Sequence, residues 1–190
     1  MLASWSWKSQ NLNASVATID LITALGRLLH DGALRDALAT NPQAVALQLG
    51  IREDDRSALI RLIPEDLEFQ ARVLLHKRLD AVRRILPETF RQLDGNSWPS
   101  FHQYARTNWP TGDDSRVVDA YEFCRHLKQC SPESLCAAEW NRLQFGLSKK
   151  RLALHWVHRP TTAKKNILAL QVFLRVRTMR CHEIILYCRL

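Results

Sequence analysis

Leu152-Ala153-Leu154-His155-Trp156-Val157, Leu168-Ala169-Leu170-Gln171-Val172-Phe173-Leu174-Arg175-Val176 and His182-Glu183-Ile184-Ile185-Leu186-Tyr187-Cys188 decide the fold of this chain. Each run changes character every second residue and is rich in β-branched and aromatic side chains, the pattern of a strand. The connectors, Pro160 to Asn166 and Arg177 to Arg180, are short enough for an antiparallel meander. One face of such a sheet is expected to pack on the rest of the chain and the other to stay wet.

Before Gly146 the period is helical. Val16, Ile19, Ile22, Leu25, Leu28 and Leu29 predict an amphipathic helix from Ser15. Gly32 opens a short segment to Thr40. Asn41-Pro42 reads as a cap with proline at the first helical position, closed by Gly50. Glu53, Asp54 and Asp55 suit the positive end of a further short helix ending near Leu62. Pro64 begins the longest one, with Leu67, Ala71, Leu74, Leu75, Leu79, Val82, Ile85 and Leu86 as its stripe and Pro87 as its end. A short helix then ends at Asp94-Gly95-Asn96. Ser97-Trp98-Pro99 and Asn108-Trp109-Pro110 bracket another. Asp113/Asp114 caps the next, and Ser131-Pro132-Glu133 starts the last, which runs to Gly146.

The expected fold is therefore α+β: a mostly helical body followed by a C-terminal three-stranded antiparallel sheet. The expected divisions are a flexible arm over 1–14, a small helical region over 15–62, a helical bundle over 64–146 and a basic sheet over 147–190. The charge supports this division. Residues 147–190 hold ten Lys/Arg against the single acid Glu183, a net +9, whereas residues 1–146 sum to −1. A field of one sign this concentrated fits an acidic partner: a peptide, an acidic protein face or a nucleic acid. A solvated face that keeps edge strands from aggregating is the plainer reading.

Hydrophobic content of 46% and charged content of 24% suit an ordinary globular chain. No apolar run approaches the ~18 residues that cross a bilayer. Met1 to Lys8 has neither a positive start nor an apolar core, so it does not read as a secretory signal, and a cytoplasmic location is expected. The five cysteines, Cys124, Cys130, Cys136, Cys181 and Cys188, are then reduced thiols.

A search for catalytic chemistry returns structural explanations. There is no Gly-rich phosphate loop, no G-x-S-x-G, no C-x-x-C and no H-E-x-x-H. Cys124, His126, Cys130 and Cys136 are the best metal candidates, but their spacing scatters them around a helix and across the Ser131-Pro132 break. Cys181 and His182 are adjacent on a strand and point to opposite faces, as do His155 and His158. Glu65-Asp66 and Asp113-Asp114 sit where helices begin, and capping accounts for them. Trp98, Trp109 and Trp140 read as core or hinge anchors. No catalytic residue, metal ligand or cofactor is assigned to this chain, and it is not expected to be an enzyme on its own.

Three roles remain: nucleic-acid binding, capture of a peptide by strand addition, and a subunit role. Against the first, the charge lies on strands and connectors, with no basic recognition helix and no dense aromatic stacking set. For the second, a meander leaves its first and third strands as open edges. The candidate peptide-binding residues are Leu152, Leu154 and Trp156 on the first strand, or Ile184 and Leu186 on the third. Arg175, Arg177 and Arg180 would supply charge.

Ala71-Arg72-Val73-Leu74-Leu75-His76-Lys77-Arg78, Val82-Arg83-Arg84-Ile85-Leu86-Pro87, then Trp98, Phe101 and Tyr104, then Asp119-Ala120-Tyr121-Glu122-Phe123 resemble a bacterial group. These are small proteins, described as DNA-binding or as partners, encoded beside multinuclear non-heme iron-dependent oxidases. Leu28 to Arg35 and Leu49-Gly50-Ile51 are similar to a short helical module of many bacterial proteins. Helices followed by a recognition-element-like terminal sheet resemble the partner subunits of the methanobactin and 3-thiaglutamate pathways of ribosomal peptide natural product biosynthesis. The resemblance covers residues 20–190 as a pattern. It implies a non-catalytic partner that forms a complex with an iron oxidase and holds the leader of a precursor peptide whose cysteine the oxidase modifies. The iron belongs to the oxidase, the leader is expected to be acidic, no membrane is involved, and a nucleic acid is the second-ranked partner.

Overall fold

The computed structural model describes residues 18–110, 115–160, 166–176 and 180–187, with backbone alone at 158–160, 166–167, 176 and 180–181. The expected arm over 1–14, the Asp113/Asp114 cap, Arg177 and Cys188 lie outside the described residues. The chain forms two units, Met1–Glu68 and Phe69–Leu190.

In the first unit α1 (Leu21–His30), α2 (Gly32–Thr40) and α3 (Pro42–Leu49) follow one another through single capping residues, and Gly50-Ile51-Arg52 leads to α4 (Glu53–Ile60). The first helix starts later than its apolar spacing predicts. Asp20 caps it by accepting from the Thr23 amide, and Ile19 instead pairs with Ile51 in a parallel bridge. The helical stripe misassigned Ile22, which is 80% exposed. Asp31 and Asn41 cap α2 and α3 in the same way, and Gly50 closes α3 with a left-handed φ of 63°. Ala24, Leu28, Leu38, Val45, Ala46 and Leu59 form the core. Arg35, buried among them, donates to the Leu28 and Leu29 carbonyls and to Glu68 at 2.7 Å. Its guanidinium satisfies orphan carbonyls at the end of α1, and Glu68 balances the charge.

α5 (Pro64–Ile85) contains the division, its first turn lying in the first unit. The second unit continues with α6 (Pro87–Leu93), a 3-10 turn at Asp94–Asn96, α7 (Ser97–Ala105), α8 (Ser115–Cys130), a 3-10 turn at Pro132–Ser134 and α9 (Ala137–Leu147). At the Asp94-Gly95-Asn96 turn it is Asp94, not the glycine, that takes positive φ, at 46°. α7 includes Trp98 and Pro99, because a proline in a first turn removes no helical hydrogen bond. Phe90, Phe101, Tyr104 and Phe123 meet at the centre in tilted and edge-to-face pairs, with ring centroids 5.2–5.8 Å apart. Around them Asp119, 3% exposed, takes both Arg78 nitrogens at 2.8 and 3.0 Å and the Tyr104 hydroxyl at 2.9 Å. Trp109 covers the guanidinium at 4.4 Å. Burial, with the Asp119 carboxylate beside it, pushes the Tyr104 phenol well above its ordinary range.

The last helix also starts later than expected, at Ala137. Glu139, 3% exposed, reaches α6 and accepts from the Glu88 and Thr89 amides and the Thr89 hydroxyl at 2.7–2.9 Å. The Cys136 amide donates to Thr89 Oγ1. This clamp satisfies the start of α6 and interrupts a helix that the sequence would run on from Ser131.

β1 (Leu152–Pro160), β2 (Asn166–Val176) and β3 (Arg180–Tyr187) form the expected antiparallel meander in the order β1-β2-β3. Leu154 faces Val172, which faces Ile184.

Breaking the Arg78–Asp119 pair strands a buried guanidinium. Asp119→Ala is expected to lower unfolding stability by about 3–5 kcal/mol in urea titrations of the whole chain.

Candidate docking surface

Alternation along the strands gives the sheet two faces. Toward α9 point Ala153, His155 and Val157 from β1, Ala169, Gln171, Phe173 and Arg175 from β2, and Glu183 and Ile185 from β3. This inward face carries the polar groups. Gln171 is fully buried. Its amide nitrogen donates to the Ala138 carbonyl at 3.0 Å and to Glu183 at 2.8 Å, and its oxygen accepts from Asn141 at 3.2 Å. Arg142 closes the network with two hydrogen bonds to Glu183, the shorter at 2.6 Å. Each buried polar atom thus finds a partner on the helix below.

The opposite face is apolar. Its rows read Trp156–Leu170–Leu186, Leu154–Val172–Ile184 and Leu152–Leu174–His182, so eight of nine positions are hydrophobic. Leu152, Leu154, Trp156, Leu174, Ile184 and Leu186 are 41–60% exposed. The wet face of the sheet is therefore its hydrophobic face. All five apolar residues singled out from the sequence lie on it, and register brings the first-strand and third-strand sets together into one surface. Leu170, Val172, Leu174 and His182, which complete it, were missed. Their alternation along β2 was visible, but which face would be covered was not.

Arg175 does not join that surface. Its guanidinium donates to the Ser148, Phe145 and Gly146 carbonyls at 2.6–3.1 Å, capping the end of α9, and lies 5.2 Å over the Phe145 ring. Arg180 is placed by its backbone as the first residue of β3. Within residues 147–190, the exposed bases with described side chains are Lys149, Lys150 and Arg151, where β1 begins.

The two edges differ. The Arg175 amide donates to the Arg151 carbonyl, which makes 151/175 a hydrogen-bonded pair and fixes the alternation along the register. The backbone groups of Leu152, Leu154 and Trp156 consequently point away from β2, to the open edge of β1. Those of His182, Ile184 and Leu186 point into the ladder, and the open edge of β3 belongs to Cys181, Glu183, Ile185 and Tyr187. Two cavities flank β1. One, of about 380 Å³, is lined by Tyr121, Phe145, Lys150, Ala153 and His155. The other, of about 440 Å³, is lined by Glu88, Arg91, Cys136, Trp156 and Val157.

The three cysteines with described side chains differ in exposure. Cys124 is buried, Cys136 half-buried and Cys130 exposed. Among the described residues no three His, Cys, Asp or Glu side chains converge as metal ligands would, and no helix is long and apolar enough to cross a membrane. Burial, reinforced by the charges of Glu139 and Cys136, pushes the Cys124 thiol up to about 12. Burial likewise raises that of Cys136.

The site is an apolar sheet face with an open edge, carried on a helical body. Residues 63–129 match the model of a family described as "SCO6045-like, C-terminal domain". That stretch runs from the start of α5 to the end of α8 and holds Arg78, Tyr104 and Asp119; α9 and the sheet lie beyond it. The family's description names no ligand or reaction. No curated protein and no solved structure matches the chain.

Thiol chemistry tests this placement. Iodoacetamide at pH 8 is expected to alkylate Cys130 in the native protein and spare Cys124, which has almost no thiolate, whereas in denaturant the two react alike; peptide mass mapping reads the result.

Proposed function

We propose that this protein is a non-catalytic docking subunit that captures an extended, acidic precursor peptide by strand addition to β1. The open β1 edge, with a cavity on either part of its inner side, carries this reading. An added strand would take main-chain hydrogen bonds from Leu152, Leu154 and Trp156 and turn alternate side chains toward the two cavities. Lys149, Lys150 and Arg151 at the start of the strand favour an acidic peptide. On this reading, and on the resemblance set out above, the peptide is a leader presented in the cytoplasm to a multinuclear iron oxidase. The oxidase holds the iron and modifies a cysteine of the precursor.

Proline separates edge from ladder. At position 154 it removes an amide that faces outward and leaves the bonds to β2 intact. The test is co-expression of the full chain with the products of its neighbouring genes, which this reading expects to include an iron protein and a precursor peptide, and comparison with Leu154→Pro and Ile185→Pro. The native chain and Ile185→Pro should co-purify with the peptide, while Leu154→Pro should weaken peptide binding at least tenfold and remain folded. Unchanged binding by Leu154→Pro refutes the edge assignment. A salt-sensitive shift of duplex DNA without any peptide binding refutes the peptide reading altogether.

A further inference from the structure

The outward face of the sheet is a second surface, distinct from the edge. β2 turns three apolar side chains, Leu170, Val172 and Leu174, outward, while its inward positions alternate Ala169 and Phe173 with Gln171 and Arg175. An antiparallel sheet ordinarily turns its polar side to water, and here the uncovered side is the apolar one. With six side chains 41–60% exposed, the patch offers on the order of 600 Å², at the top of the ~300–600 Å² of a typical monomer's largest patch and short of the ~800 Å² per partner of a standard interface.

Charge chooses the occupant. The segment carrying the sheet holds ten bases, and its one acid, Glu183, is turned inward and paired with Arg142. Two copies placed face to face would bring two fields of net +9 together across a gap of about 10 Å, close to the screening length in physiological salt. An acidic surface gains from the same field. The inner face shows what shape fits. A single helix of 11 residues, α9, covers it, and a helix of that length spans about 16 Å. We infer that the outward sheet face is the docking site for an amphipathic helix of a partner protein, with an apolar stripe on Leu154, Val172 and Ile184 and acidic residues flanking the stripe.

The probe is a fluorescein-labelled 18-residue helix with leucine at i, i+3, i+4 and i+7 and glutamate elsewhere, compared with its lysine counterpart by anisotropy against the full chain. The acidic helix should bind at least tenfold more tightly than the basic one, and less tightly as salt rises. Ile184→Asp and Leu186→Asp should each reduce binding at least tenfold, with unchanged urea unfolding curves. Neither residue sends backbone groups to the β1 edge, so both variants should still hold the precursor peptide; this separates failure of the face from failure of the edge. Equal or absent binding of the two helices overturns the inference. So does a dimer in sedimentation that Ile184→Asp dissociates, which would give the face to a second copy. Binding to phosphatidylserine vesicles but not to the acidic helix would give it to a membrane and overturn the inference too.

Discussion

Gln171, fully buried at the centre of the middle strand, fixes which way the sheet faces. A buried amide needs all its partners, and Gln171 finds them in the Ala138 carbonyl, Asn141 and Glu183, with Arg142 holding Glu183 in turn. These groups lie on α9 and β3, on one side of the sheet only. Because side chains alternate with period two, turning Gln171 inward turns Leu154, Val172 and Ile184 outward in the same step. An apolar exposed face follows from the placement of a polar network.

The helical body contributes rigidity to this arrangement. Glu139 clamps α9 to the start of α6, and Arg175 caps the other end of α9 while belonging to β2. The helix under the sheet is therefore held at both ends by charged groups whose partners, the Thr89 hydroxyl apart, are backbone atoms. Strand order and register then leave two unlike edges. At the β1 edge the residues that offer backbone groups are the outward apolar ones, and at the β3 edge they are the inward ones, Glu183 and Ile185 among them. The two surfaces proposed for docking share β1, so a peptide on the edge and a helix on the face would lie side by side.

The strands, their order and most of the helices were legible in the sequence because each rests on a local signal: period two, a proline, an Asp or Asn cap. The errors fall where a tertiary contact outweighs the local one. The Asp20 cap and the Ile19–Ile51 bridge displaced the start of α1, and the Thr89–Glu139–Cys136 clamp displaced the start of α9. The five apolar candidate residues were found by alternation alone. Which face they occupied was not legible, since β2 carries apolar residues on both sides and only the partners of Gln171 and Arg175 decide which side faces α9. Arg175 was assigned to ligand charge because a basic residue on a strand carries no mark of the helix end that it caps. The matched family segment, 63–129, bears on the body and is silent on the sheet.

The orientation of the sheet is the claim on which both surfaces stand, and neighbouring residues of β2 test it. Thermal unfolding of Val172→Asp and Phe173→Asp places a charge on either face at the middle of the same strand. The account predicts that Val172→Asp unfolds cooperatively within about 5 °C of the native chain, a surface-sized effect. It predicts that Phe173→Asp, which buries an unpaired carboxylate, loses its cooperative transition. The reverse order would place the apolar face against α9 and contradict the account.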